Sequence, residues 1–231
     1  LFSAGLEEII CAGKVGIVGQ KKINRFWVLT PVFGILLFAI LYITATLYYP
    51  GGSQLDEHSV GFSWSNNYWC NLLNVQAING QHNGGRPIAL AGMAVLCFSL
   101  SVFWFYFPRY VHFSKFSRLT IQVSGTLSMM IAIFLFTSLH DTITYAASVI
   151  GLIAVAGTFI GLYKIKWFGL FGFGIFNLLL VVLNNYLYYT KGMLIYLPVV
   201  QKITFVSFLL WICWINVGLY ISSTNNSKLP L

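Results

Sequence analysis

Side chains able to do chemistry are few in this chain of 231 residues: four histidines, five carboxylates and four cysteines. Asp56, Glu57 and His58 are consecutive, His82 stands in the run NGQHNGG, and His140 and Asp141 are adjacent. A divalent metal such as zinc takes three or four His, Cys, Asp or Glu ligands, and a catalytic site keeps one position for water. Asp56, His58, His82 and His140 are the ligands such an ion would draw on. General acid/base work needs less, since one histidine near a carboxylate can activate water against an ester or amide. His58, His140 and Asp141 are the catalytic candidates on that ground. The spacing is diagnostic of neither chemistry: HExxH is absent, the contiguous DEH triplet cannot easily aim three side chains at one point, and Ser53, Ser59, Ser63 and Ser65 lack a GxSxG setting. Solvation of a polar loop is the plainer account of the same residues. Cys11, Cys70, Cys97 and Cys213 show no CxxC spacing and read as inert.

The elements that must position these groups are set by composition. Hydrophobic residues make up 58% of the chain and charged ones only 8%, with a mean hydropathy of +0.80. A water-soluble domain spends about a quarter of its residues on Asp, Glu, Lys and Arg. The chain therefore reads as an all-α polytopic membrane protein, a single membrane domain over residues 1–231. Its net charge of +8 lies in short basic runs between apolar stretches. That placement suits anionic lipid and excludes nucleic acid as a partner.

A span needs roughly 20 mostly apolar residues to cross about 30 Å of hydrocarbon. Six stretches qualify: Trp27 to Tyr49, Ile88 to Phe107, Leu119 to Leu139, Thr142 to Tyr163, Trp167 to Tyr189 and Leu194 to Tyr220. With the N-terminus inside, the cytoplasmic segments hold Lys14, Lys21, Lys22, Arg25, Arg109, Lys115, Arg118, Lys164, Lys166 and Lys228. The external ones hold only Arg86 and Lys191, with Lys202 just inside the last span. The positive-inside bias predicts a bacterial-type inner-membrane protein with both termini cytoplasmic. Residues 1–26 read as an interfacial helix or a basic arm. Gly157 and Gly161 form a GxxxG pair suited to close helix packing, and Gly169, Gly172 and Gly174 crowd the inner half of the fifth span.

Two connections are very short. His140 and Asp141 alone are expected to separate the third and fourth spans, and Lys164 to Lys166 the fourth and fifth. The loop from Pro50 to Pro87 is far longer than its helices require, which marks it as a functional external cap. Within it, WSNNYWCNLLNVQAI (Trp64 to Ile78) predicts a short helix over the outer mouth, with Asn67, Asn71 and Asn74 toward one side. Threading the spans brings the loop, the 140–141 turn, Asn184, Asn185, Gln201 and Lys202 to the external level. Lys202 is costly there unless it snorkels to headgroups or pairs, and Asp141 is the expected partner. Asn177 and Asn216 lie deeper and should face other helices or an enclosed pocket.

The six-span layout together with SQLDEHSVGFSWSNNYWCNLLN and NGQHNGGRPIALAGM resembles the uncharacterised bacterial six-helix membrane proteins of the DUF998 and Frag1/DRAM-like groups. The resemblance covers most of the chain and implies that architecture, but no reaction or substrate. The expected function is to bind a lipid or small amphiphile in an externally facing polar pocket. Asn67, Asn71, Asn74, Arg86, Asn177, Asn184 and Lys202 are its binding residues. A hydrolase at the outer leaflet, with or without a divalent metal, is the first alternative. A transporter or a structural membrane partner is the second. Membrane lipids, the amphiphile and a further copy of the chain are the partners these readings allow.

Overall fold

In the computed structural model, residues 26–190 and 192–225 are described. The expectations for residues 1–25, Lys191 and Lys228 lie outside them. Six long helices carry the fold: α1 (Phe26–Leu47), α2 (Arg86–Tyr110), α3 (Lys115–Ala132), α4 (His140–Lys164), α5 (Phe168–Tyr189) and α6 (Leu197–Asn225). All six are long and apolar enough to cross a membrane, and no strand occurs among the described residues. The chain is an all-helical, six-helix, multi-pass membrane protein.

Local chemistry explains where the helices begin and end. Gly85 caps α2 with Pro87 in its first turn, where a missing N–H costs nothing. Ser114 starts α3 by accepting from Ser117 N at 3.1 Å. Helix α4 stops in a Schellman turn, with Trp167 N donating to Leu162 O at 3.0 Å and Lys166 N to Tyr163 O at 3.1 Å. Lys166 occupies the left-handed position at φ 59° that glycine usually fills.

One boundary differs from expectation. Helix α3 gives way at Ile133–Phe136 to a 3₁₀ turn, so the α3–α4 connection is made by residues 133–139. His140 and Asp141 are the first residues of α4, not the turn itself. The carboxylate gains there from the partial positive charge at a helix N-terminus.

Helices adjacent in sequence pack side by side, and α6 returns to α1 to close the ring. Small residues set the close approaches. A Cβ on Gly125 would stand 2.4 Å from Trp104 Cγ, and one on Gly157 2.4 Å from Ile121 Cγ1. The predicted GxxxG face is thus used twice, Gly157 admitting Ile121 of α3 and Gly161 admitting Phe107 of α2. Gly172 differs, with open space where a Cβ would go. The α4–α5 seam is the thinnest of those between successive helices. Its ring contacts all sit where α4 ends and α5 begins: Phe159 on Phe171 at 5.4 Å, and Tyr163 on Phe168 at 5.9 Å and on Phe171 at 6.1 Å. Toward the opposite end, where α4 begins and α5 ends, both helices expose Tyr145, Val149, Leu152, Val182, Tyr186 and Tyr189.

Candidate functional site

Between α1 and α2 the chain folds back on itself as a cap whose order comes from asparagine side chains. Asn67 Nδ2 donates to Gly52 O at 2.8 Å while its Oδ1 accepts from Ser63 N at 2.8 Å. Asn71 Oδ1 accepts from Tyr68 N at 2.7 Å. Asn83 Nδ2 donates to Asn74 O at 3.0 Å, Leu72 O at 3.1 Å and Asn71 O at 3.4 Å, and Gly85 N donates to its Oδ1 at 3.0 Å. Asn67 and Asn83 are wholly buried. Gly52 is required at its place, because φ is +84° and a Cβ would fall 2.4 Å from Asn79 N.

The predicted helix from Trp64 to Ile78 is therefore corrected to a single 3₁₀ turn, Trp69–Leu73. Asparagine side chains offer the backbone partners other than the helical ones, and here they win. The same bonds engage both ends of the Asn67 amide and the Asn71 Oδ1, so these side chains help order the cap. Asn74 is exposed, with its carbonyl bound to Asn83.

The underside of the cap presses on the bundle. The Trp69 ring lies 5.1 Å from Phe205 of α6, 5.6 Å from Tyr42 and 6.1 Å from Phe38. Leu72 and Leu73 are buried beside it. Ile78 N donates to Tyr49 Oη at 3.1 Å, and Arg86 Nε donates to Leu73 O at 2.9 Å. The Arg86 guanidinium also lies 5.9 Å from the Phe136 ring centre, and the 3₁₀ turns 69–73 and 133–136 touch. The cap thus reaches the α3–α4 connection, as the threading argument expected.

Lys202 is the decisive side chain and departs from expectation. It neither reaches the headgroups nor pairs with Asp141. Only 8% exposed, it donates from Nζ to Asn67 O of the cap and to Pro198 O at 2.9 Å, with the Phe62 ring 5.8 Å away. Two carbonyls and a ring face take the place of the carboxylate. Asp141 instead meets His140, Oδ1 to Nδ1 at 3.2 Å, with its own side chain 96% exposed.

The metal expectation also fails. Asp56, Glu57, His58 and His82 are exposed, and no three His, Cys, Asp or Glu side chains among the described residues come together to hold an ion. Asp56 Oδ1 is engaged locally, accepting from His58 N at 2.9 Å. Of the catalytic candidates His58, His140 and Asp141, the last two meet each other as the single ion pair among the described residues.

Deeper polar groups sort by neighbour. Asn184 Nδ2 donates to Thr204 Oγ1 and links α5 to α6. Asn177 and Asn216 donate to carbonyls of their own helices, Phe173 O at 2.9 Å and Ile212 O at 2.7 Å. Several buried polar atoms have no partner among the described residues: Trp69 Nε1 in the cap, Thr137 Oγ1 at the α3–α4 connection, Gln201 Oε1 and Ser207 Oγ on α6, and Asn177 Oδ1 on α5. Buried groups of this kind are satisfied by water or by a ligand.

Sequence reasoning missed Asn83, Tyr49, Phe62 and Cys70 as parts of this site. Only Asn83 had a local signal, its place in a turn-rich run. Cys70 lies within electrostatic reach of both Lys202 and Asp141. Burial pushes its thiol up, Asp141 pushes it further, and the Lys202 ammonium pulls it back in part. Burial likewise raises the Tyr49 and Tyr68 phenols. A raised thiol stays protonated in the folded chain while the unfolded chain ionises, so its contribution holds below the ordinary thiol range and is lost as pH rises through it. With Cys11, Cys97 and Cys213 replaced by serine, Cys70 should alkylate several-fold more slowly in folded than in denatured protein at about pH 8. Rates that match would remove the assignment.

No family model, curated protein or solved structure matches the chain.

Proposed function

We propose that the protein binds a lipid or small amphiphile at the external side of a bacterial inner membrane, beneath the cap, with both termini cytoplasmic. The orientation rests on the positive-inside bias. The family resemblance in the cap segments agrees with a six-helix architecture and adds no ligand.

The observation that carries the reading is the set of buried polar atoms without partners among the described residues at the outer level, Trp69 Nε1, Thr137 Oγ1 and Gln201 Oε1, under a cap fixed by its own asparagines. A polar head reaching under the cap would give such an atom the partner it lacks. The α4–α5 seam, held by rings only where α4 ends and α5 begins, gives an acyl chain a lateral way in between apolar side chains. Ligand sites of this make-up, mostly apolar with a few convergent polar groups, lie between helices of bundles.

Binding to the folded state raises thermal stability, by about 2.7 kcal/mol at a hundredfold excess over Kd. Dioctanoyl lipids of several headgroup classes, titrated into the purified chain in neutral detergent, should include at least one that raises Tm by several degrees and stays bound in native mass spectrometry. A panel without any such lipid would end the reading. The His140–Asp141 contact supports a second one, hydrolysis of an outer-leaflet ester by an imidazole held beside a carboxylate.

A further inference from the structure

The polar capacity left over beneath the cap is one-sided. Lys202 has three N–H donors and spends two, on Asn67 O and Pro198 O. No carboxylate among the described residues pairs with it, although it is buried. A buried ammonium held only by neutral carbonyls and a ring lacks the counter-charge that usually accompanies it. Asp141, the carboxylate near this region, is turned to solvent and engaged with His140.

A second donor without a partner lies at the interface of the cap with α6. Trp69 Nε1 is buried without a partner, and indole nitrogen only donates. Its ring packs on Phe205, three residues beyond Lys202 and so on the same face of α6. The cap and α6 therefore bring an ammonium and an indole N–H to the same interface, Lys202 through Asn67 O and Trp69 through Phe205. Arg86, bound to the cap through Leu73 O, adds a second cation to the layer. A cationic ligand would meet repulsion here, and a neutral one would leave the Lys202 charge uncompensated.

We propose that this layer is an oxyanion site, taking the phosphate group of an amphiphile with Lys202 Nζ and Trp69 Nε1 as its donors. The inference rests on the amphiphile reading for its ligand and goes beyond it in naming the headgroup.

The test uses the full chain in neutral detergent with four probes: dioctanoylphosphatidic acid, dioctanoylphosphatidylcholine, dioctanoylglycerol and inorganic phosphate. A charge-assisted hydrogen bond changes affinity by about ten- to hundredfold. Dioctanoylphosphatidic acid should therefore bind tighter than dioctanoylglycerol by about that factor. Lys202→Met should abolish the preference, Lys202→Arg should keep most of it, and Trp69→Phe, which retains the ring, should weaken it several-fold. Should Lys202→Met fail to fold, Trp69→Phe decides by the same measurement. Displacement of the lipid by inorganic phosphate assigns the site to the free anion. Failure to displace, with binding still dependent on Lys202, assigns it to phosphate borne by a lipid.

Equal affinity for the acid and for dioctanoylglycerol, or a preference unchanged in folded Lys202→Met, overturns the oxyanion site and leaves the amphiphile reading standing. If no lipid binds, the amphiphile reading fails. Inorganic phosphate then decides the anion alone, its Lys202-dependent binding supporting the site and its absence overturning it.

Discussion

Gly125→Leu is expected to yield no folded protein after detergent extraction, while Gly172→Leu extracts like the parent chain. A Cβ on Gly125 would sit 2.4 Å from Trp104 Cγ and 2.5 Å from Trp104 Cβ, inside both van der Waals radii. Neither the indole nor its backbone can give way cheaply. Trp104 is buried, packs on Phe103 at 5.8 Å and donates from Nε1 to Thr158 Oγ1 at 3.4 Å. Overpacking by single methylenes costs about 1–3 kcal/mol, and leucine adds more than one to a gap that does not admit the first. At Gly172 the space is open, and losing a helical glycine gains up to about 1 kcal/mol. Fluorescence-detected size exclusion of the two variants separates the cases. A monodisperse Gly125→Leu would show that α2 and α3 do not meet as described.

Asn83→Asp should open the cap without dissolving the bundle. The substitution keeps the oxygen that accepts from Gly85 N, but turns the other arm from a donor into an anion facing the carbonyls of Asn71, Leu72 and Asn74. Burying an uncompensated charge against acceptors costs about 3–5 kcal/mol. External protease should cut between Pro50 and Gly85 many times faster than in the parent. The defect should ease as pH falls toward the carboxylate range, where the protonated oxygen donates again. A cleavage rate equal to the parent's would mean that Asn83 does not hold the cap. The bundle survives in this prediction because α1–α2 packing uses other contacts, including Gly92 against the Tyr42 ring.

The membrane class and the six helices were legible in the sequence because both follow from length and apolar composition, which need no tertiary information. That the long loop and the connection after the third span share one end of the bundle was legible too, since threading alone brings them together, and Arg86 touches both Leu73 O and the Phe136 ring. Partner choice was not. Lys202 and Asp141 form the obvious ion pair on paper, yet a carbonyl of Asn67 captures the lysine, and nothing in the local sequence announces a contact made by a backbone oxygen. The helix expected over Trp64 to Ile78 failed for a related reason. Its period of 3.6 was real, but Asn71 Oδ1 took the Tyr68 N–H and Asn83 Nδ2 took the carbonyls of Asn71, Leu72 and Asn74, all of which the helix would have needed. The nearness of Cys70 to Lys202 and Asp141 was not legible, because both neighbours are distant in sequence.

The bond from Lys202 to Asn67 joins residues 135 apart, one behind the first helix and one in the last. During synthesis the loop forms once two helices have been inserted, and it then has to wait for α6 before its lysine arrives. Latching of the cap therefore follows insertion of α6, and a nascent chain halted before α6 carries an unlatched one.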